Sequence, residues 1–439
     1  MRLRTLALAA LVLSGCGDRD ITSSDPSNPP GQGAGTLEVF LSASDFAAGD
    51  WFDTTLAGFA RAADAASHVV AAESDFQSRS LLRFTTLAQR AFVNDTLREA
   101  LGFFNGRFVI RLDTARSSLA GGGVLSLYDS ETTFDARTAT WTFAVDTPGM
   151  QVAWSVPGGA LGTPIASDTF DLSVETDTVI VDADTLVGVL VLPLGAATDS
   201  LLRAWSDTLD RHPGLVLALE TTAGDVRFGF PVPALQYDVR PDGPVDTLIA
   251  FSQLPLIRTF IFDFSPPRPE PGDSLLALAG FPAARAYFDV RPPDSVVVDG
   301  ALRPLRGSFI ARAELQLTSR PLASPYASTR AIAVRTFLAN DDVRVFGEKT
   351  PLGGAIPEGR ATVEPDSLPD GERFTVGLTS LLARWADTPP DSVPEPLRFV
   401  LRADPEAVGV GNWTFAAAGR LGEPVLRIVF TPRTEFELP

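Results

Sequence analysis

The chain has 439 residues, 45% of them hydrophobic, enough to bury more than one sizeable core and too many for a disordered chain. Its 36 lysines and arginines stand against 54 aspartates and glutamates, and the resulting charge of -18 repels nucleic acid and anionic lipid surfaces. One cysteine and two histidines exclude a disulfide framework and a cysteine-ligated metal site, whereas 36 glycines and 35 prolines suit many short strands joined by turns.

Arg2 and Arg4 open the chain with positive charge, Leu6 to Leu13 follow as an apolar stretch, and Leu13-Ser14-Gly15-Cys16 forms a small-residue cleavage site. The apolar stretch falls far short of the ~20 residues that cross a bilayer as a helix. This leader resembles the lipobox family of bacterial lipoprotein signals. The resemblance implies that residues 1–15 are removed, that Cys16 is lipidated at its thiol, and that the mature chain is tethered to the membrane by that lipid. Gly17 stands where an aspartate retains some lipoproteins in the inner membrane, so the expected location is the outer membrane of the cell envelope. Residues 16–35, rich in Ser, Pro, Gly and Asp, are expected to form a flexible spacer.

Strand patterns begin near Thr36: Leu37–Leu41, His68–Ala72, Arg79–Phe84, Phe108–Leu112, Val124–Tyr128, Thr140–Val145, Thr178–Val181 and Gly188–Leu192. Ser200-Leu-Leu-Arg-Ala-Trp-Ser-Asp-Thr208 then reads as a short amphipathic helix, with Asp199 as its N-cap and Leu201, Leu202 and Trp205 on one face. Strands Leu215–Leu219 and Leu235–Val239 follow.

A second series starts at Asp246 and repeats this order. Arg285–Val290 resembles the strand at Leu81, and Phe309 to Leu317 reads as a strand with Phe309, Ala311, Ala313, Leu315 and Leu317 on one face. Gly307-Ser-Phe-Ile-Ala-Arg312 echoes Gly106-Arg-Phe-Val-Ile-Arg111. Ser380-Leu-Leu-Ala-Arg-Trp-Ala-Asp-Thr388, capped by Thr379, repeats the helix with Leu381, Leu382 and Trp385 on its apolar face. Strand Leu397–Leu401 and a closing Pro-x-Leu strand at Pro424, matching the one at Pro233, complete the parallel. The expectation is an all-β chain of two tandem antiparallel β-sandwich units, jelly-roll-like, each with a short helix before its last strands. Unit 1 covers 36–245 and unit 2 covers 246–439, with Trp205 and Trp385 in their cores.

The order of these motifs is similar to that of the DNRLRE family, disaggregatase-related secreted β-sandwich domains allied to carbohydrate-binding modules. It is carried by Ser80-Leu-Leu-Arg-Phe84, Thr138-Ala-Thr-Trp-Thr142, Trp154 with Pro157-Gly-Gly159 and the Trp205 helix in unit 1. In unit 2 it is carried by Arg312-Ala-Glu-Leu-Gln-Leu317, Thr375 to Trp385, Leu397 to Ala403 and Glu423 to Phe430. The likeness is densest from Phe374 to Thr431, and unit 2 has no clear counterpart of the Thr-x-Thr-Trp strand. The resemblance implies a sandwich fold of carbohydrate-binding descent.

Chemistry has little to rest on. His68 lies on a strand and His212 in a His-Pro-Gly turn, neither beside a Gly-x-Ser-x-Gly elbow, and no phosphate loop, dinucleotide fingerprint or His-Glu-x-x-His pattern is present. Asp168, Asp171, Asp177, Asp182 and Asp184 cluster without the spacing of a calcium loop and read as solvated strand and loop faces. No enzyme activity, cofactor or metal is expected. Flat indole faces stack on sugar rings, which makes Trp154, Trp51 and Trp141 the ligand-binding candidates, Trp154 foremost because its Pro-Gly-Gly neighbour is a turn that holds an indole open. The expected function is a non-catalytic envelope lipoprotein that binds polysaccharide or another envelope polymer. The alternative is a structural adaptor that docks envelope proteins.

Overall fold

The computed structural model describes residues 35–433 apart from short internal segments, the longest being 172–178 and 324–330. The leader, Cys16 and the spacer to residue 34 lie outside the described residues, as do Asp177 and Asp182. The chain is all-β: antiparallel strands dominate, and among the described residues only the helices Thr198–Ser206 and Thr379–Ala386 exceed about one turn. No described helix is long and apolar enough to cross a membrane.

Two sets of sheets carry the same strand order. In the first set, Ile249–Gln253, Ala234–Pro241, Thr96–Arg111 and Val189–Pro193 lie side by side. Across an apolar layer run Ile257–Phe264, Phe76–Arg83, Leu215–Ala223, Gly122–Asp129 and Ala166–Asp171. In the second set, Leu37–Ser42, Val425–Thr431, Phe309–Thr318 and Arg373–Gly377 match the first row. Trp51–Ala57, Ala284–Val290, Leu397–Asp404, Ile332–Ala339 and Leu352–Val363 match the second row. Inward residues of both rows share one buried cluster in each set. Phe108, Ile110, Leu192 and Leu235 meet Leu82, Leu125 and Leu217 in the first, and Leu315, Phe374, Leu426 and Phe430 meet Phe288, Val334 and Phe399 in the second.

The strand partnerships cross the expected 245/246 boundary in both directions. Leu37–Ser42 and Trp51–Ala57, at the start of unit 1, complete the second set, while Ile249–Gln253 and Ile257–Phe264, at the start of unit 2, complete the first. Each repeat is therefore a leading strand pair followed by a body, and each pair closes the other repeat's body. Cutting the chain at 245/246 separates sequence repeats but not packed units. The N-terminal strand Leu37–Ser42 satisfies the edge of Val425–Thr431 that would otherwise leave its backbone N–H and C=O groups unpaired.

The two helices bury the predicted faces, Leu202 and Trp205 in one and Leu381, Leu382 and Trp385 in the other. Their expected caps act differently. Asp199 lies inside its helix and accepts from Phe103 N (2.9 Å), and Thr379 is the first helical residue and accepts from Ala313 N (3.0 Å). These polar side chains tie the helix to the neighbouring central strand rather than capping it, and Asp199 also accepts from Arg203 Nε within the helix (3.0 Å). Leu194 N donates to Gly106 O and Thr198 Oγ1 accepts from Gly106 N in the first set, as Leu378 and Thr379 do with Ala313 in the second. The structural partner of Gly106 is thus Ala313, and the Gly106/Gly307 sequence echo is not a structural equivalence.

A bulge between Ile310 and Arg312 also changes the alternation expected along Phe309–Thr318. Ile310 is buried and Phe309 and Ala311 are exposed, while Ala313, Leu315 and Leu317 point inward as expected. Period-two reading carries no sign of an inserted residue.

Candidate functional site

Of the tryptophans proposed from the sequence, Trp154 is buried and Trp51 and Trp141 are half-buried. The Pro-Gly-Gly turn covers Trp154 rather than holding it open: the residue is only 6% exposed and its Nε1 donates to Thr140 O at 2.9 Å. Trp141 lies in a bend before the strand Phe143–Thr147, not within a strand, with the Arg79 guanidinium 5.2 Å from its ring centroid. Arg79 Nη1 donates to the carbonyls of Gly158 (2.7 Å) and Gly159 (2.5 Å), fastening the turn onto both rings. Gly158 has φ +83°, and a Cβ there would stand 2.7 Å from Trp141, so the turn needs glycine both for its backbone and for its closeness. Trp51 is half-buried, meets Phe46 and Phe288 edge to face, and donates to Asp53 at 3.1 Å. Trp154→Ala is accordingly expected to lower the melting temperature measurably, by the cavity it leaves, and an unchanged melt is the contrary outcome.

His68 is fully buried, with Nδ1 2.6 Å from Ser80 Oγ and no partner on Nε2 among the described residues. His212 accepts from Gly214 N at Nδ1 (3.1 Å), so its Nε2 proton faces Asp129 at 2.9 Å. Two carboxyls whose pKa values are raised, Asp53 and Glu73, owe this first to burial and serve internal hydrogen bonds. Among the described residues no group of three or more His, Cys, Asp or Glu is placed to hold a metal ion.

What the sequence reading missed is a pair of polar grooves at equivalent places, one on the outer face of each first-row sheet. The first encloses about 640 Å3 between the turn at Pro193 and Gly195 and strand residues Arg107, Gln236, Asp238 and Ser252. Arg107 Nε donates to Gln236 Oε1 (3.1 Å) and Asn105 Nδ2 to Asp238 Oδ2 (2.6 Å). The second, about 520 Å3, lies between Glu358 and Arg360 and the strand residues Arg312, Glu314, Gln316 and Arg427. Arg427 joins Glu314 (3.0 Å) and Glu38 (2.6 Å), and Arg312 Nε donates to Glu314 Oε1 (2.7 Å). The central-strand and neighbouring-strand positions facing each other are Arg107 with Gln236 in one set and Glu314 with Arg427 in the other.

Two groups of the second groove, Arg427 and Glu358, are shifted toward their ionised forms. Hydrogen bonds that Arg427 donates to Glu38 first, and to Glu314, raise its pKa against the opposing effect of burial. At Glu358 burial pushes the carboxyl upward, but the hydroxyl and N–H of Ser380 outweigh it and the net shift is downward. Such groups orient hydroxyls and charges of a ligand; a carboxyl shifted downward is a poor proton donor near neutral pH.

No family model matches the chain, and no curated protein matches it. Among solved structures it aligns with the C-terminal domain of the Streptococcus agalactiae AgI/II polypeptide BspA at 10% identity and a TM-score of 0.14, over 81% of this chain and 91% of that one. It also aligns with the N-terminal CBM22-1–CBM22-2 tandem domain of Xyn10C from Paenibacillus barcinonensis, at 10% identity and a TM-score of 0.13, over 91% and 98%. Alignments at these scores carry no structural argument.

Proposed function

We propose that this protein is a non-catalytic lipoprotein of the bacterial cell envelope, tethered through Cys16, whose two β-sandwich units bind polysaccharide on their outer sheet faces. The units descend from the DNRLRE-like, carbohydrate-binding type of sandwich and are completed crosswise by each other's leading strands. The observation that carries the binding reading is the pair of grooves, repeated at one ladder position in both sets and rich in arginine, glutamine and carboxylate groups that suit sugar hydroxyls. Shallow polar sites of this kind give Kd values of roughly 10 μM to 1 mM. Titration of the soluble chain from Gly17 with envelope and plant polysaccharides tests this reading. Arg107→Ala and Gln236→Ala are each expected to weaken binding about tenfold, about 1.4 kcal/mol, with little change in melting temperature. A folded protein that binds nothing in the panel removes it.

A second reading, an adaptor docking envelope proteins, is favoured by two exposed apolar pairs. Phe92 and Leu97 oppose each other in one hairpin, 72% and 47% exposed, and Val297 and Leu302 do so in the equivalent hairpin, 65% and 70% exposed. For the anchor, Cys16→Ala is expected to abolish acyl labelling and release or misprocess the protein. Undiminished labelling and membrane retention in that variant would contradict the tether.

A further inference from the structure

The crosswise completion of the two bodies bears on association, independently of what the grooves bind. The body of the second set accepts the strand pair Leu37–Ser42 and Trp51–Ala57 through two ladders, of six and seven residues. That pair is joined covalently to the other body, since the chain leaves Ala57 and enters the first set at His68. The corresponding pair of the first set, Ile249–Gln253 and Ile257–Phe264, follows its own body directly from Pro241. One acceptor slot is therefore filled by a neighbouring stretch of chain and the other by its far end.

We propose that the N-terminal strand pair also docks in trans, into the second body of another copy of this chain, giving a reciprocally exchanged dimer. Every ladder hydrogen bond of the closed monomer is reproduced in such a dimer, so the two forms differ in the connection and in the entropy of association. The connection is long enough: the ten residues between Ala57 and His68 reach roughly 35 Å when extended. Exchange rearranges the contacts that this connection makes at the junction of the two sets. Gly58 N donates to Ala283 O (2.6 Å), and Ala60, Ala62 and Ala65 pack at the junction where Phe260 of the first set meets Phe281 of the second, ring centroids 5.2 Å apart.

Reciprocity follows from closure. A chain that donates its pair leaves its own second body with the open edge of Val425–Thr431, and only a returned pair covers it, whereas an open head-to-tail array keeps one bare edge at its end. The exchanged pair also brings Glu38 to Arg427, so in the dimer this groove residue is held by the other copy.

The test uses the full-length chain with Cys16→Ser, which removes its one thiol. Glu38 and Val429 face each other directly across the ladder, at a spacing that suits a disulfide. Chains carrying Glu38→Cys and chains carrying Val429→Cys, refolded together and oxidised, are expected to give a disulfide-linked dimer that neither gives alone. One chain carrying both substitutions should close internally and then stay monomeric by light scattering, at concentrations where its reduced form dimerises. Mixed chains that cross-link no more than the single variants, or a thiol-free parent that stays monomeric at every concentration, overturn the proposal.

Discussion

Trp205→Ala and Trp385→Ala are each expected to lower stability by about 3–5 kcal/mol, the cost of an unfilled cavity in a packed core. Both indoles are almost fully buried, on helices whose only other large apolar anchors are leucines. Trp205 stacks on Phe84 at 6.4 Å and meets Phe108 edge-on at 6.1 Å, holding its helix against both rows of the first set. Trp385 belongs to the separate cluster of the second set, so each variant should destabilise its own set most. Neither indole N–H has a partner among the described residues, and phenylalanine at either position should cost less than alanine, because it removes the unpaired buried donor while keeping most of the ring volume. Calorimetry, which does not depend on tryptophan fluorescence, measures both effects. Alanine variants that melt like the parent chain would show that the helices do not anchor the cores.

Acid is expected to destabilise the fold through His68. Burial first, and then the positive charge of Arg258, lower its pKa to about 3, against about 6.5 in an unfolded chain. The folded state holds the imidazole neutral, so between these two values the unfolded chain binds the extra proton. The contribution is fully present above about pH 6.5 and is lost as pH falls toward 3, at up to about 1.4 kcal/mol per pH unit. Replacing both members of the pair, His68→Leu with Ser80→Ala, removes this dependence without stranding the serine hydroxyl. Denaturant titrations at pH 7 and pH 4 should show the parent chain losing about 2–4 kcal/mol more than the double variant. Equal losses would mean that His68 is not held neutral.

Local pattern alone specified much of the architecture. Short apolar runs placed strands at His68–Ala72, Leu215–Leu219, Arg285–Val290 and Leu397–Leu401, and the structure buries these runs along nearly their whole length, as it does strands covered on both faces. The two Leu-Leu-x-x-Trp segments placed both helices and their buried faces by their helical spacing. Short strand patterns spaced by turns pointed to an all-β chain, and the expected leader, read from charge and apolar length, rests on sequence alone. What the tertiary structure decided was who pairs with whom. A strand's sequence shows which face is apolar but not which distant edge its N–H and C=O groups will meet, so the crosswise completion of the two sets was invisible along the chain. The exposure of Trp154 was likewise not local, because Arg79 lies 80 residues before the turn it clamps shut. The grooves escaped notice for the same reason. Arg107 meets Gln236 and Arg427 meets Glu38 only after strands far apart in sequence are laid side by side, and single polar residues on a wet strand face look alike until their neighbours are known.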